Sequence, residues 1–184
     1  AYAEQFLDLL QGDQFAASYK AVNPQQVVPA VVIDGKDFAL FQSMAVLEYI
    51  EEVYQDPALL PADPFERARV RGLAQIVVSD THRPAVPSTR AYIKDTLGHS
   101  DVELKTWIHH WVGIGLEAFE TRLATDGRAG LFCHGDTPTF ADLCLFPQIV
   151  SAKRLALPLE PYPNIMAIFD RCTGLEEFRN GIPA

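Results

Sequence analysis

The spacing of apolar and polar residues changes near residue 63, and this change divides the chain into two parts. In the first part, two short apolar runs at residues 29–33 and 38–41 flank the pair Asp34-Gly35. Asp-Gly between apolar runs predicts a β-hairpin with a tight turn. The segment after the hairpin has helical spacing, and Ser43 is a residue type that commonly caps a helix N-terminus. Residues 1–10 are predicted to form a short strand, so the first part is α/β.

The second part is predicted to be helical throughout. Asp63-Pro64 begins a helix to about residue 79, and Ser100 begins a helix to about residue 125. In both cases a residue type that commonly caps a helix is followed three residues later by a carboxylate. Thr139 begins another in the same way, so we interpret Asp142 as a reciprocal cap and not as a catalytic acid. Shorter helices are expected at residues 84–97, 164–173 and 175–179. On the helix that Ser100 begins, one face is expected to carry Trp107, Trp111, Ile114, Ala118 and Leu123.

Charge and cysteine content exclude several classes of function. The net charge of −9 argues against nucleic acid and anionic membranes as partners. The apolar runs are too short to span a bilayer, and no signal peptide is visible. Cys133, Cys144 and Cys172 form no Cys-x-x-Cys pair, which favours a reducing cytoplasm and core positions over a disulfide framework or a zinc site. His109 and His110 are adjacent on a helix and cannot chelate one metal ion together, so we expect no metal site.

The hairpin and the helix after it suggest a site for a small peptide. A proline at the head of a strand, Pro29, leaves the backbone of Val28 without a ladder partner, and an extended ligand can pair with it. The helix that opens at Ser43 offers N–H groups and a positive dipole end to a carboxylate. The alternative is an ordinary hairpin followed by a capped helix, since each signal is common on its own.

The chain resembles zeta-class glutathione transferases from about residue 14 to residue 178. The motifs that carry the resemblance are Val28-Pro29, Asp34-Gly35, Gln42-Ser43, Leu59-Leu60-Pro61, Phe132-Cys133-His134-Gly135-Asp136, Ala141-Asp142-Leu143-Cys144-Leu145, Pro147-Gln148 and Pro161-Tyr162-Pro163. The resemblance implies the glutathione transferase fold, with a thioredoxin-like domain at residues 1–53, a linker at 54–62 and a helical bundle domain at 63–184. It further implies that the domain's first strand and helix, and the serine loop that activates the glutathione thiol, lie upstream of Ala1; the alternative is a truncated form of the domain.

The same resemblance implies that glutathione is the cofactor. In the class, a Val-Pro pair with a cis bond holds the cysteinyl part of glutathione, and a Gln/Glu-Ser pair holds its γ-glutamyl carboxylate. Carried over to this chain, Gln14, the backbone of Val28 beside a cis Pro29, Gln42 and Ser43 are expected to line the glutathione site. The class also implies a homodimer.

Four residues of the second part are expected to face the substrate. His82 matches a histidine of bacterial zeta-class relatives. The alternative is that His82 is a cation at the C-terminus of a helix, where it interacts favourably with the helix dipole. Residues 85–88 read Ala-Val-Pro-Ser where the class has Asn-Asn-Leu-Arg, which leaves Ser88 at the arginine position and Arg83 or Arg90 as stand-ins. Arg154 matches the arginine that grips the substrate carboxylate, and its alternative is a last-turn residue that binds helix carbonyls.

These matches imply a glutathione-dependent cis–trans isomerase of the maleylacetoacetate or maleylpyruvate type. A glutathione thiolate would add to the double bond of a conjugated keto acid, the bond would rotate, and the thiolate would leave. The altered residues 85–88 keep two alternatives open. One is a transferase or dehalogenase that consumes glutathione, and the other is a non-catalytic binding module.

Overall fold

The computed structural model describes residues 2–182, which fall into two units, one ending at Asp56 and one beginning at Pro57. The first unit contains a 3₁₀ turn at Asp13–Phe15, helix α1 at Ala17–Val22, strands β1 at Ala30–Val31 and β2 at Leu40–Phe41, and helix α2 at Ser43–Val53. The regular structure in the described residues of the second unit is helical, apart from one isolated β-bridge between Ala129 and Gly135. The helices are α3 at Pro64–Gln75, α4 at Pro87–Ala91, α5 at Asp101–Thr125, α6 at Phe140–Arg154, α7 at Pro163–Gly174 and α8 at Glu176–Asn180, with short π and 3₁₀ segments between α3 and α5.

The predicted hairpin is confirmed, although its strands are shorter than expected. β1 and β2 pair antiparallel, with Ala30 opposite Phe41 and Val31 opposite Leu40. Gly35 lies in the turn with φ of 76°, a backbone conformation that glycine adopts without the steric cost of a side chain. Each strand has two residues, and at the end next to Ala30 the ladder stops where Pro29 has no N–H with which to extend it.

The strand predicted for residues 1–10 is wrong for the described part of that segment, since Ala1 lies outside the described residues. Residues 2–8 have no regular structure, and a turn follows. The carboxylate of Asp8 accepts hydrogen bonds from the backbone N–H groups of Leu10 (2.9 Å) and Gln11 (3.3 Å). Aspartate side chains that bind the local backbone in this way compete with strand pairing.

The face predicted on α5 is also wrong, because its members do not share one environment. Trp107 and Trp111 are each 40% exposed and Ile114 is 48% exposed, whereas Leu123 is buried. Leu123 follows Trp107 by sixteen positions, which places it about 160° away around a helix of 3.6 residues per turn. The buried stripe consists of Leu104, Ile108, Val112, Gly115, Leu116, Phe119 and Leu123.

The chain leaves α3 through a π turn at Ile76–Thr81, which takes the place of the last turn of the predicted α-helix. Its bonds include the N–H of His82 to the carbonyl of Val77 (2.8 Å), and the Thr81 hydroxyl donates to the carbonyl of Ile76 (2.7 Å). Thr81 is completely buried against α5 at Gly115. The close approach at Gly115 therefore fixes the position of the chain just before His82.

We expect Gly115→Ala to lower the free energy of unfolding by about 1–2 kcal/mol. A methyl group at this position would lie 2.9 Å from Thr81 Cβ, so overpacking outweighs the better helix propensity of alanine. Gly113→Ala on the same helix is the matched control, because its methyl group would meet only the Tyr162 hydroxyl, at 3.7 Å. Urea denaturation measures both variants. Equal stability of Gly115→Ala and the parent protein would contradict the tight contact.

Candidate active site

In the first unit, two buried or half-buried side chains hold the segment before Pro29. The Tyr19 hydroxyl and the Asn23 side-chain amide each donate to the carbonyl of Val27 at 2.7 Å, and Asn23 is only 2% exposed. The Val28–Pro29 bond is cis, as expected from the resemblance. Within residues 2–182 the backbone N–H and C=O of Val28 have no hydrogen-bond partner. An exposed backbone segment with unpaired groups therefore borders the hairpin.

The start of α2 differs from the prediction at Ser43. Ser43 is the first residue of the helix, and Gln42 takes the N-cap position without a side-chain capping bond. The reason is the backbone of Gln42, whose φ of 67° and ψ of 119° turn the chain from β2 into the helix one residue earlier than expected. A positive φ at a residue other than glycine costs of the order of 1–3 kcal/mol, and such residues are enriched at functional sites. Gln42 Nε2 donates to Gln25 Oε1 at 2.9 Å.

Gln14 lies in the 3₁₀ turn and is only 7% exposed. Its Nε2 donates to the carbonyl of Leu9 at 3.3 Å, while its Oε1 has no partner in the described part of the chain. Most buried polar atoms in proteins are hydrogen-bonded, so this oxygen is an acceptor that a ligand can satisfy.

In the second unit, three of the expected substrate residues lie in one segment. His82 follows the π turn, and its Nδ1 is 3.2 Å from Oε1 of Gln148 on α6. Arg83 begins a 3₁₀ turn, and its carbonyl accepts from the Thr89 hydroxyl at 3.1 Å. Ser88 lies in the first turn of α4, and the side chains of His82, Arg83 and Ser88 are all exposed.

Arg154 belongs to a different element from these three residues. It is in the last turn of α6, where it lines a cavity of about 170 Å³ together with Phe146, Pro147, Val150, Ser151, Gly181 and Ile182. Positions 148 and 154 are about 120° apart around a helix. The side chain of Gln148, which contacts His82, and the side chain of Arg154 therefore point in different directions. Among the described residues, the cavity lining includes neither His82, Arg83 nor Ser88.

The three cysteines supply no reactive thiolate. All lie within the described part of the chain, all are buried, and none forms a disulfide. Burial raises the pKa of Cys144 and Cys172 to about 12, and burial also raises the pKa of Cys133 well above its ordinary value. Because the thiolate is the nucleophile, thiol chemistry at neutral pH must use a thiol from outside these residues.

Asp142 has the structural role that the sequence predicts. Its carboxylate accepts from the Thr139 N–H and hydroxyl, both at 2.8 Å, and from the N–H of Cys133 at 2.9 Å. The side chain is completely buried. Asp142 therefore joins the start of α6 to the loop before it.

Some supporting residues were missed at the sequence level. Asn23 and Tyr19 position the carbonyl of Val27, and no local signal distinguishes them from surface residues. Gln148 did carry a signal, because a glutamine within a buried apolar helix needs a hydrogen-bond partner.

Within residues 2–182, no cluster of three His, Cys, Asp or Glu side chains is arranged to hold a metal ion. None of the helices described combines the length and hydrophobicity needed to cross a bilayer.

Comparison with known proteins adds two family matches. Residues 1–52 match the family model for the glutathione S-transferase N-terminal domain, and residues 115–171 match the model for the C-terminal domain. A maleylpyruvate isomerase from Ralstonia sp. is 43% identical over 167 residues, which cover 91% of this chain and 78% of the relative.

Two solved structures have the same fold. A holo maleylpyruvate isomerase, described as a bacterial zeta-class glutathione transferase, has a TM-score of 0.89 and 41% identity, covering 94% of this chain and 81% of the other. A maleylacetoacetate isomerase from Anaeromyxobacter dehalogenans, with glutathione in its active site, has a TM-score of 0.84 and 40% identity, covering 97% and 82%. The chain therefore belongs to the glutathione transferase family, in the zeta class that includes the maleylpyruvate and maleylacetoacetate isomerases.

Proposed function

We propose that this protein catalyses glutathione-dependent cis–trans isomerisation of a maleyl-type keto dicarboxylic acid such as maleylacetoacetate or maleylpyruvate. The observation that carries the proposal is the unpaired backbone of Val28 next to a cis proline, in a chain that is 43% identical to a maleylpyruvate isomerase. A backbone segment of this kind can pair with the peptide groups of glutathione as an added strand does.

The proposed glutathione site uses residues of the first unit. The backbone of Val28 pairs with the cysteinyl part of glutathione, and the cis bond to Pro29 sets the backbone conformation at this position. Gln42 and Ser43, at the start of α2, bind the γ-glutamyl carboxylate, which the positive end of the helix attracts. Gln14 offers its unpartnered Oε1 to an amide or amine hydrogen.

The reaction needs no net change in glutathione. The sulfur of the thiolate forms a bond to one carbon of the substrate double bond. The π electron pair of the double bond moves onto the conjugated keto oxygen, which gives an enolate. The remaining single bond rotates. The electron pair of the enolate then re-forms the double bond, and the carbon–sulfur bond breaks. The thiolate is released, and the substrate is left in the trans form.

The residues of this chain have two roles in that scheme. Arg154 forms a guanidinium pair with a substrate carboxylate, a geometry that suits arginine better than lysine. His82 contacts the substrate, with Arg83 and Ser88 in the same segment. The cysteines of the chain are buried and protonated, so the reacting thiolate in this scheme is that of glutathione.

A transferase or dehalogenase that consumes glutathione is the second candidate. One observation favours it: Ala85 is buried and Pro87 begins α4, so this stretch offers neither the amides nor the guanidinium of the class motif. The two candidates differ in stoichiometry. An isomerase converts many equivalents of maleylpyruvate per glutathione and leaves the thiol concentration constant, whereas a falling thiol concentration at each turnover would reject the isomerase.

Ser43→Ala is expected to weaken glutathione binding by about 1.5–3 kcal/mol, because hydrogen bonds to charged groups are worth that much. Isothermal titration calorimetry on the full chain measures the effect. Ser100→Ala is the matched control: Ser100 caps α5, so its loss should reduce stability and leave glutathione affinity unchanged. If Ser43→Ala binds glutathione as tightly as the parent protein, the proposed carboxylate contact is wrong.

Dimerisation and location are also proposals. We infer a homodimer from the resemblance to the zeta class, in which the first domain of one subunit contacts the second domain of its partner. We infer a cytoplasmic location because three buried cysteines without a disulfide suit a reducing compartment.

A further inference from the structure

One buried polar side chain of the helical unit has no place in the scheme above. Gln148 lies in the middle of α6, is 2% exposed and sits between apolar neighbours that include Leu145 and Ile149. A buried amide in such surroundings needs a hydrogen-bond partner. The partner of its Oε1 is the Nδ1 of His82, at 3.2 Å, while its Nε2 has no partner within residues 2–182.

We propose that Gln148 is a positioning residue that holds the His82 imidazole with its hydrogen on Nδ1 and its Nε2 directed to the substrate. An amide oxygen can only accept a hydrogen bond, so the Nδ1 atom that faces it carries the hydrogen. The Nε2 atom of His82 has no hydrogen-bond partner in the described part of the chain, and the residue is exposed. This inference rests on the proposed function, because it assumes that His82 contacts the substrate.

The backbone at His82 is fixed as well as the ring. The N–H of His82 closes the π turn onto the carbonyl of Val77, and Thr81 is buried against Gly115 of α5. A side chain whose backbone and Nδ1 are both held has little freedom to rotate. Such preorganisation is what a hydrogen-bond donor to a developing enolate requires.

The choice of glutamine fits an anionic substrate. A carboxylate at position 148 would also accept from Nδ1, but it would add a negative charge close to a dicarboxylic acid. The neutral amide orients the ring without this repulsion. The neutral ring with its hydrogen on Nδ1 leaves Nε2 as an acceptor, so the donor to the substrate is the protonated ring. In that form Nδ1–H still donates to Gln148 Oε1, and Nε2–H donates to the substrate keto oxygen as negative charge develops there.

Nitrogen-15 NMR of the histidine side chains tests the hydrogen bond directly. In the parent protein, His82 should have its hydrogen on Nδ1 when neutral. His109 is an internal reference with the opposite form, because its Nε2 faces the carbonyl of Leu155 at 3.2 Å and must carry the hydrogen. Gln148→Met keeps the length of the side chain and removes the acceptor. It should abolish the Nδ1 preference of His82 and leave His109 unchanged.

Kinetics of the same variants test the role in the reaction. Gln148→Met should lower kcat for maleylpyruvate by about 10- to 100-fold, the scale expected when a reacting group loses its orientation, with glutathione affinity unchanged. Gln148→Glu should keep the Nδ1 hydrogen and raise KM for the dicarboxylate. Ile149→Val on the same helix is the control for packing, and it should change neither the NMR signals nor kcat.

Two results would overturn the inference. One is a parent protein in which His82 carries its hydrogen on Nε2, and the other is a Gln148→Met variant that loses the Nδ1 form yet keeps its full kcat. Failure of the proposed function would look different, because the parent protein would then fail to isomerise maleylpyruvate while its NMR signals remained as described.

Discussion

Arg154→Ala is expected to lower kcat/KM for maleylpyruvate by about 30- to 1000-fold, which corresponds to about 2–4 kcal/mol of transition-state stabilisation. The guanidinium is proposed to form a charge-assisted pair with a substrate carboxylate at the cavity lined by Phe146, Val150 and Ile182. Glutathione affinity should stay unchanged, since the proposed glutathione site belongs to the first unit. An uncharged electrophile should be affected much less than the dicarboxylate.

Lys153→Ala is the matched control for this result. Lys153 is the adjacent cation on α6, and its ammonium lies over the ring of Phe169 at 3.9 Å. Its removal should leave the kinetics close to those of the parent protein. If Arg154→Ala lowers the melting temperature without a selective loss for the dicarboxylate, Arg154 serves the end of the helix and the substrate assignment is wrong.

Asp142→Ala is expected to lower the free energy of unfolding by about 3–5 kcal/mol. The change removes a helix cap and leaves buried donors of Thr139 and Cys133 without an acceptor, and each such loss is costly. Urea denaturation followed by circular dichroism measures the effect. Asp142→Asn should be milder, because its side-chain oxygen can still accept one of the bonds.

Asp136→Ala is the control in the same loop. Asp136 is exposed and accepts from the N–H of Leu131 at 3.1 Å, so its loss should cost about 1 kcal/mol. A different pattern would contradict the structural role of Asp142. If Asp142→Ala were as stable as the parent protein but inactive in isomerisation, the carboxylate would have to act in the chemistry.

The features that could be predicted from the sequence have local signals. Asp63 accepts from the N–H groups of Phe65 and Glu66, and Ser100 and Thr139 begin α5 and α6 through capping boxes, all at the expected positions. The hairpin also follows from adjacent residues. Each of these signals lies within one short stretch of chain, so the remainder of the fold has little influence on it.

The features that could not be predicted depend on distant residues. On α5, two apolar stripes lie side by side, and the π turn and α7 that pack on the helix decide which one is buried. The contact between His82 and Gln148 joins positions 66 residues apart, so no periodicity reveals it. At Ser43, the backbone of Gln42 moves the helix start by one residue, and this depends on how β2 ends.

The π turn at Ile76–Thr81 has a consequence for tracing the ancestry of this site. A π turn accommodates one residue more than an α-helical turn, and the bonds that close it run between residues five apart. A relative that has lost one residue here can close the same stretch as a regular α-helical turn, so the elements on both sides keep their orientation. Its histidine would then lie at the same end of the helix with one residue fewer before it. A gap of one residue in an alignment of this short segment is therefore compatible with an unchanged geometry at the histidine.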